Sequence, residues 1–302
     1  MEIALYVYGS PSLGSHTGFT RKVVPLTTNL DLISQELFAL TTSGGDEYCG
    51  TVIQKAVDQL LWTNEDNDLR MIFIAGNEPF TQGAIPYASS IAQAQRKGIL
   101  VNTIFCGDMN EGRQSGWWHG AQLGQGEFMN INHNQAVTHI NTPFDQQILD
   151  CNTRLNQTYI YYGEQGKLSK ERQEIQDQNA SSFGAGNVVQ RGRTKASKSY
   201  NNSSWDLIDA AEEDDFELST VDSTTLPEPL QKMKKKELEA HIAELAATRV
   251  KIQEEIKVLY QKREEYVKAQ QKGTAEGQLD QALLQAIRKQ GEAKGMNFKK
   301  GE

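Results

Sequence analysis

Long apolar runs are missing from this chain. No stretch reaches the roughly 18 apolar residues that a membrane-spanning helix needs, so none is predicted. Cysteine is scarce: Cys49, Cys106 and Cys151 stand far apart with no CxxC, which fits neither a disulfide framework nor a zinc motif. Basic residues are outnumbered, with 31 Lys and Arg against 39 Asp and Glu. The net charge of −8 argues against a nucleic-acid partner for the chain as a whole. The first residues, MEIALYVYG, carry no basic region and no cleavage-type small residues, so no signal peptide is read there. No glycine-rich phosphate loop follows a strand, and no Gly-x-Ser-x-Gly elbow occurs. Gly44-Gly45-Asp46 opens a helix, but acidic residues there disfavour phosphate.

Hydrophobic residues make up 38% of the 302, and the mean hydropathy is −0.58. That is low for a single compact globule and suggests a globular part diluted by polar helices. The globular part centres on RMIFIAGNEPF, 70–80. Five apolar residues, 71–75, run into Gly76-Asn77-Glu78-Pro79, a turn signal. Such a run predicts a strand buried on both faces, as in a parallel sheet between helices. A similar run, ILVNTIF at 99–105, stops at Gly107-Asp108. Further strands are predicted at 3–8, 19–26 and 127–132, and helices at about 29–40, 49–61, 87–97, 115–124 and 144–155. This alternation predicts an α/β fold with a doubly wound, mostly parallel sheet and helices on both faces. Ligands bind outside the carboxyl ends of the strands in such sheets, which directs attention to Asn77, Glu78 and Asp108.

From 163 onwards the composition changes. Residues 164–233 read as a helical and loop linker, and 234–302 as a long charged helix followed by a short one. In the long helix Leu238, Ile242, Leu245, Arg249, Ile252, Ile256, Leu259, Arg263 and Tyr266 follow steps of four and three, a heptad seam. At ~1.5 Å per residue the helix is on the order of 55 Å long and is expected to pair with something. Self-association through 234–271 is one expectation. The two seam arginines are either solvated breaks or charges that specify a partner. The short helix after 277, with Leu283, Leu284 and Ile287, is expected to fold back on the long one.

Four stretches in order, IALYVYG…RKVVPL, GGDEYCGTVIQKAV (44–57), IFIAGNEPFTQG (72–83) and GILVNTIFCGD (98–108), resemble a von Willebrand factor type A domain over about 3–163. The likeness is greatest to a bacterial group with FMNINHN-like and SSWDLIDA-like stretches and a long charged C-terminal helix. The resemblance implies three parts: an incomplete domain at 1–163, the linker, and the helical extension. It also implies a metal-ion-dependent adhesion site, where hard oxygen ligands hold Mg²⁺ and leave one position open for a partner's carboxylate. Asp46 falls at one ligand position, with Glu47 beside it. The family's Asp-x-Ser-x-Ser loop and its first strand are absent, and its fourth-strand aspartate falls on Gly76. Bound Mg²⁺ would therefore require the missing strand. Asp46 otherwise reads as a carboxylate favoured by a helix N-terminus. Without that central strand, 3–8 and 71–75 are expected either to pair with each other or to remain as exposed edges. Relatives of this kind are expected outside the cytoplasm.

His119, His133 and His139 lack metal-ligand spacing and read as surface residues. Of Trp117 and Trp118, one is expected to pack on the sheet end. Cys49 begins a helix, where a thiolate would be favoured. The residues together predict a non-enzymatic protein-interaction module. Its strand-end loops (Asp46, Glu47, Asn77, Glu78, Asp108) would meet a protein partner. The other reading is a scaffold that self-associates through its long helix.

Overall fold

The computed structural model describes residues 1–41, 44–131, 140–270 and 278–298, so His133 and His139 lie outside the described residues. The chain is mixed α/β. A three-stranded parallel sheet is flanked by helices, and a long helix lies towards the C-terminus. In chain order the elements are β1 (Ile3–Tyr8), β2 (Thr20–Thr27), α1 (Leu30–Phe38), α2 (Cys49–Gln59), β3 (Arg70–Gly76), α3 (Tyr87–Arg96), β4 (Ile99–Cys106), α4 (Met109–Gln114), α5 (Trp117–Leu123) and β5 (Gln125–Ile131). There follow α6 (Asp145–Asn156), α7 (Gly166–Ser182), α8 (Ala185–Lys195), α9 (Leu207–Ala210), α10 (Glu228–Gln231), α11 (Lys235–Gln270) and α12 (Gln278–Ala293).

Contacts divide the chain into two compact units, and the boundaries differ from those read in the sequence. One holds Met1–Ile3, Thr27–Ala39 and His139–Thr274; the other holds Ala4–Leu26, Leu40–Thr138 and Ala275–Glu302. The stretch 164–233 belongs to the core of the first unit and does not behave as a linker.

In the sheet-bearing unit β4 lies between β3 and β5. Arg70 pairs with Ile99 and the register holds to Gly76 and Phe105. The β4–β5 register slips between Val101 and Thr103. Gly126 explains the slip: a Cβ there would sit 2.0 Å from the Val101 carbonyl oxygen, so only glycine allows this approach. Successive β4 side chains point to opposite faces. Val101 and Phe105 join Ile53, Val57, Ile91 and Trp117 in one core, under α2, α3 and α5. Ile104 joins Met129 and Ala286 in another, where α12 covers the opposite face. The buried Asn102 exchanges amide hydrogen bonds with Gln290 of α12, at 2.7 and 3.2 Å. Thus α12, which the sequence suggests could fold back on the long helix, packs on the sheet of its own unit.

β1 pairs with β2 in a separate two-stranded sheet. Of the two expectations for β1 and β3, direct pairing is the one not seen.

The helical unit is built on buried charge. The α11 seam (Leu238, Ile242, Ile252, Ile256, Leu259) is buried against the chain's own α6, α8 and α9. The length of α11 is therefore largely accounted for within its own unit. The seam arginines are neither solvated nor left for a partner. Arg263 Nε donates to Asp145 Oδ1 at 3.0 Å. Arg249 uses all three nitrogens: Nη1 lies 2.6 Å from Asp206 and 2.5 Å from Asp209, while Nε and Nη2 donate to Thr158. A second cluster joins Asp31, Arg191, Asp177 and Lys195 through contacts of 2.5–2.8 Å. Burial pulls the Lys195 ammonium down to about 8. Burial raises Asp177, but Lys195 and Arg191 outweigh it and hold that carboxyl at about 2.

Asp209 is pushed up to about 6 by burial and by the neighbouring Asp206 carboxylate, with Arg249 pulling the other way. Its folded value lies above the ordinary 3.8, so the folded chain keeps a proton that the unfolded chain releases between these values. The stabilisation from this group is complete below pH 3.8 and is lost as pH rises through about 6. Moving from pH 7 to pH 5 is expected to slow amide exchange in α11 by the equivalent of about 1–2 kcal/mol, an effect that Asp209→Asn removes. An unchanged pH dependence in that variant would show that the acid effect arises elsewhere.

Candidate functional site

The strand-end loops are held together by backbone hydrogen bonds. β3 ends at Gly76, and Asn77 and Glu78 follow with their N–H groups turned towards Glu47. The Glu47 Oε2 accepts both, at 3.0 and 3.2 Å. A Cβ on Gly76 would lie 2.1 Å from that oxygen, 2.7 Å from the Tyr8 hydroxyl and 2.9 Å from the Trp117 ring. Glycine at this position is therefore what lets the carboxylate reach the loop. The loop is clamped further along. Glu47 N–H donates to Gln82 Oε1 at 2.8 Å, and Gln82 Nε2 donates to Glu78 at 3.3 Å. Trp117 Nε1 donates to the Glu78 carbonyl at 2.9 Å.

The ionisable groups around Gly76 are pushed towards their neutral forms. Burial, the largest cause, raises Glu47 with help from the neighbouring Glu78 charge, while its two backbone bonds pull the other way. Burial raises Tyr8, whose hydroxyl donates to the Ala75 carbonyl at 2.7 Å. Burial also raises the thiols of Cys49, 3.9 Å from Tyr8, and Cys106. At the helix start, burial thus pushes the Cys49 thiol towards its neutral form, with the Tyr8 hydroxyl pulling the other way.

The structure brings Glu47, Asn77 and Glu78 together. Asp46 is exposed and reaches only Tyr48, at 3.5 Å, among the described residues. Asp108 is exposed and caps α4, accepting from Asn110 and Glu111 N–H at 2.8 and 3.2 Å. His119 meets the Tyr87 hydroxyl at 2.7 Å. Trp117 is the tryptophan that packs on the sheet, while Trp118 is 44% exposed.

These donors do not fit the Mg²⁺ site that the resemblance implies. Asp46 turns to Tyr48, Glu47 is occupied by N–H donors in a setting that favours its neutral form, and Gly76 offers no side-chain oxygen. Among the described residues no group of three or more His, Cys, Asp or Glu is placed to hold a metal ion.

Sequence reasoning missed Tyr8 and Gln82. Tyr8 lies on a strand far from the loop in sequence, and its hydroxyl has no periodicity to reveal it. Gln82 lies four residues beyond Glu78, a spacing that could have signalled the contact. Comparison with protein-family models, with curated proteins and with solved structures finds no match.

Proposed function

We propose that the sheet-bearing unit is a doubly wound domain of von Willebrand factor type A kind, and that it is a non-enzymatic protein-interaction module. The observation that carries this reading is an acidic surface at the carboxyl ends of β3 and β4. Glu78 follows β3, Asp108 follows β4, and Asp46 lies on the loop before α2; none of the three has an ion-pair partner among the described residues. An unneutralised acidic rim on clamped loops suits a partner with a basic face, where charge complementarity favours encounter and register. Trp117 anchors the loop from beneath and keeps it preorganised, which lowers the entropic cost of binding. The alternative, self-association through α11, has less support because most of the seam is already buried in its own unit.

A photo-crosslinker at the exposed Asn77 is expected to label one discrete protein in cells that make this chain. Asp46→Lys with Glu78→Lys is expected to weaken labelling by about tenfold or more. Diffuse labelling, or labelling indifferent to charge reversal, would overturn the reading. Titration with Mg²⁺ or Mn²⁺ is expected to show no micromolar binding; such binding, lost in Asp46→Ala, would reinstate a metal site. Hydrolase activity abolished at Asp46 or Cys49 would replace the reading with an enzymatic one.

A further inference from the structure

Residues 199–231 of the helical unit carry nine carboxylates and not one lysine, arginine or histidine. Arg249 of α11 meets two of them, Asp206 and Asp209. The other seven have no ion-pair partner among the described residues. Five of those seven fall in 212–217, EEDDFE, a run interrupted only by Phe216. An acidic run of this kind is ordinarily a solvated turn. Here it borders a cavity with aromatic walls.

The backbone places the aromatic residue of the run. Glu213 N–H donates to the Ala210 carbonyl at 3.1 Å, continuing α9, and Phe216 N–H donates to the Glu213 carbonyl at 3.2 Å. That turn brings Phe216 onto the core that holds Leu207 and Ile208, beside Tyr162. The two half-buried rings line a cavity of about 330 Å³ together with Ala210, Glu213 and Asp215. Their centres lie 6.0 Å apart with the planes at 73°, so they form a corner and not a stack. The Tyr162 hydroxyl donates to the Ser203 carbonyl at 2.5 Å, which holds its ring in place.

We propose that this cavity binds an organic cation, an alkylammonium or a guanidinium. Ring faces attract a cation, and most strongly one that gives up water easily. Glu213 and Asp215 are exposed and add negative charge that no cation of the unit neutralises among the described residues. A small divalent ion is a poor occupant, because it needs a shell of oxygen ligands. Among the described residues no three acidic side chains converge in that way, and the Ser203 carbonyl is engaged by Tyr162. A neutral apolar molecule would desolvate the carboxylates without compensation. The volume falls within the range of small-ligand sites. A free quaternary ammonium and a basic side chain on a peptide share this chemistry.

The test is a titration of the full chain followed by the amide and ring resonances of Tyr162, Ala210 and Phe216. The probes are choline, its uncharged isostere with carbon in place of the quaternary nitrogen, a glycine peptide with one central arginine, and calcium chloride. Choline or the peptide is expected to shift all three residues saturably, and to bind about fivefold or more tightly than the uncharged isostere. The tighter of the two identifies the cation as free or peptide-borne. Phe216→Leu keeps an apolar side chain on the core, and Asp215→Asn alters only an exposed group. Each is expected to weaken binding about threefold. Equal affinity for the uncharged isostere would overturn the proposal, as would shifts that do not saturate or binding unmoved in both variants. Displacement of choline by micromolar calcium would replace it with a metal site.

Discussion

Replacing Arg249 by alanine is expected to destabilise the helical unit by about 3–5 kcal/mol, because it strands two buried carboxylates. Asp206 is fully buried and the Asp209 side chain is 14% exposed, and both give their ion pair to the same Nη1. The loss extends beyond the pair. Arg249 stacks 4.0 Å from the Tyr159 ring centre and holds Thr158 through both side-chain and carbonyl oxygens. Denaturant unfolding followed by α11 amide exchange measures the loss. Arg249→Met combined with Asp206→Asn and Asp209→Asn is expected to recover most of it, since neutralising a whole buried cluster costs far less than halving it. Asparagine at 206 can still accept the Ile160 N–H that Asp206 now receives at 2.8 Å. A loss below about 1 kcal/mol for Arg249→Ala would mean that water reaches the cluster.

The second large effect is expected at Trp117→Ala, about 3–5 kcal/mol from the sheet-bearing unit. Trp117 is fully buried, with ring centres 4.7 Å from Phe80 and 5.8 Å from Phe105. Its indole N–H also fixes the Glu78 carbonyl. Two readouts separate these roles. Trp117→Phe keeps much of the packing and is expected to recover about half of the stability. It cannot donate to Glu78, so the amides of Asn77 and Glu78 are expected to exchange faster in both variants. If Trp117→Phe leaves those amides unchanged, the loop is anchored by Glu47 alone.

Much of the secondary structure was legible because it rests on local pattern. Ile3–Tyr8 and Arg70–Gly76 are short apolar runs closed by glycine, and both are strands close to where their sequences place them. The long helix, expected from 234 to 271, runs from Lys235 to Gln270. What was not legible is the pairing of distant charges. Asp31 and Arg191 lie 160 residues apart, and Thr158 and Arg249 lie 91 apart. Each reads as an ordinary solvated residue, so the stretch 164–233 looks too polar to form a core. Burial of these charges becomes tolerable only when their partners converge, and no window of sequence shows that. The candidate site was legible in half. The turn after β3 announces Asn77 and Glu78, and the adjacent loop announces Glu47. The close approach across Gly76 needs Tyr8 and Trp117 in place, and neither is near in sequence.

The cover on the second face of the sheet has a consequence for the order of events during synthesis. Asn102 and its partner Gln290 are 188 residues apart, and residues 139–274 of the helical unit are made between them. A ribosome delivers β3, β4 and β5 long before α12. During that interval Ile104 and Met129 lack the helix that later shields them. Such a delay lengthens the mean loop that folding must close and exposes apolar surface to misassociation. Nascent chains halted before α12 should therefore be sticky in proportion to that uncovered face, and the last helix acts as the latch that ends the vulnerable period.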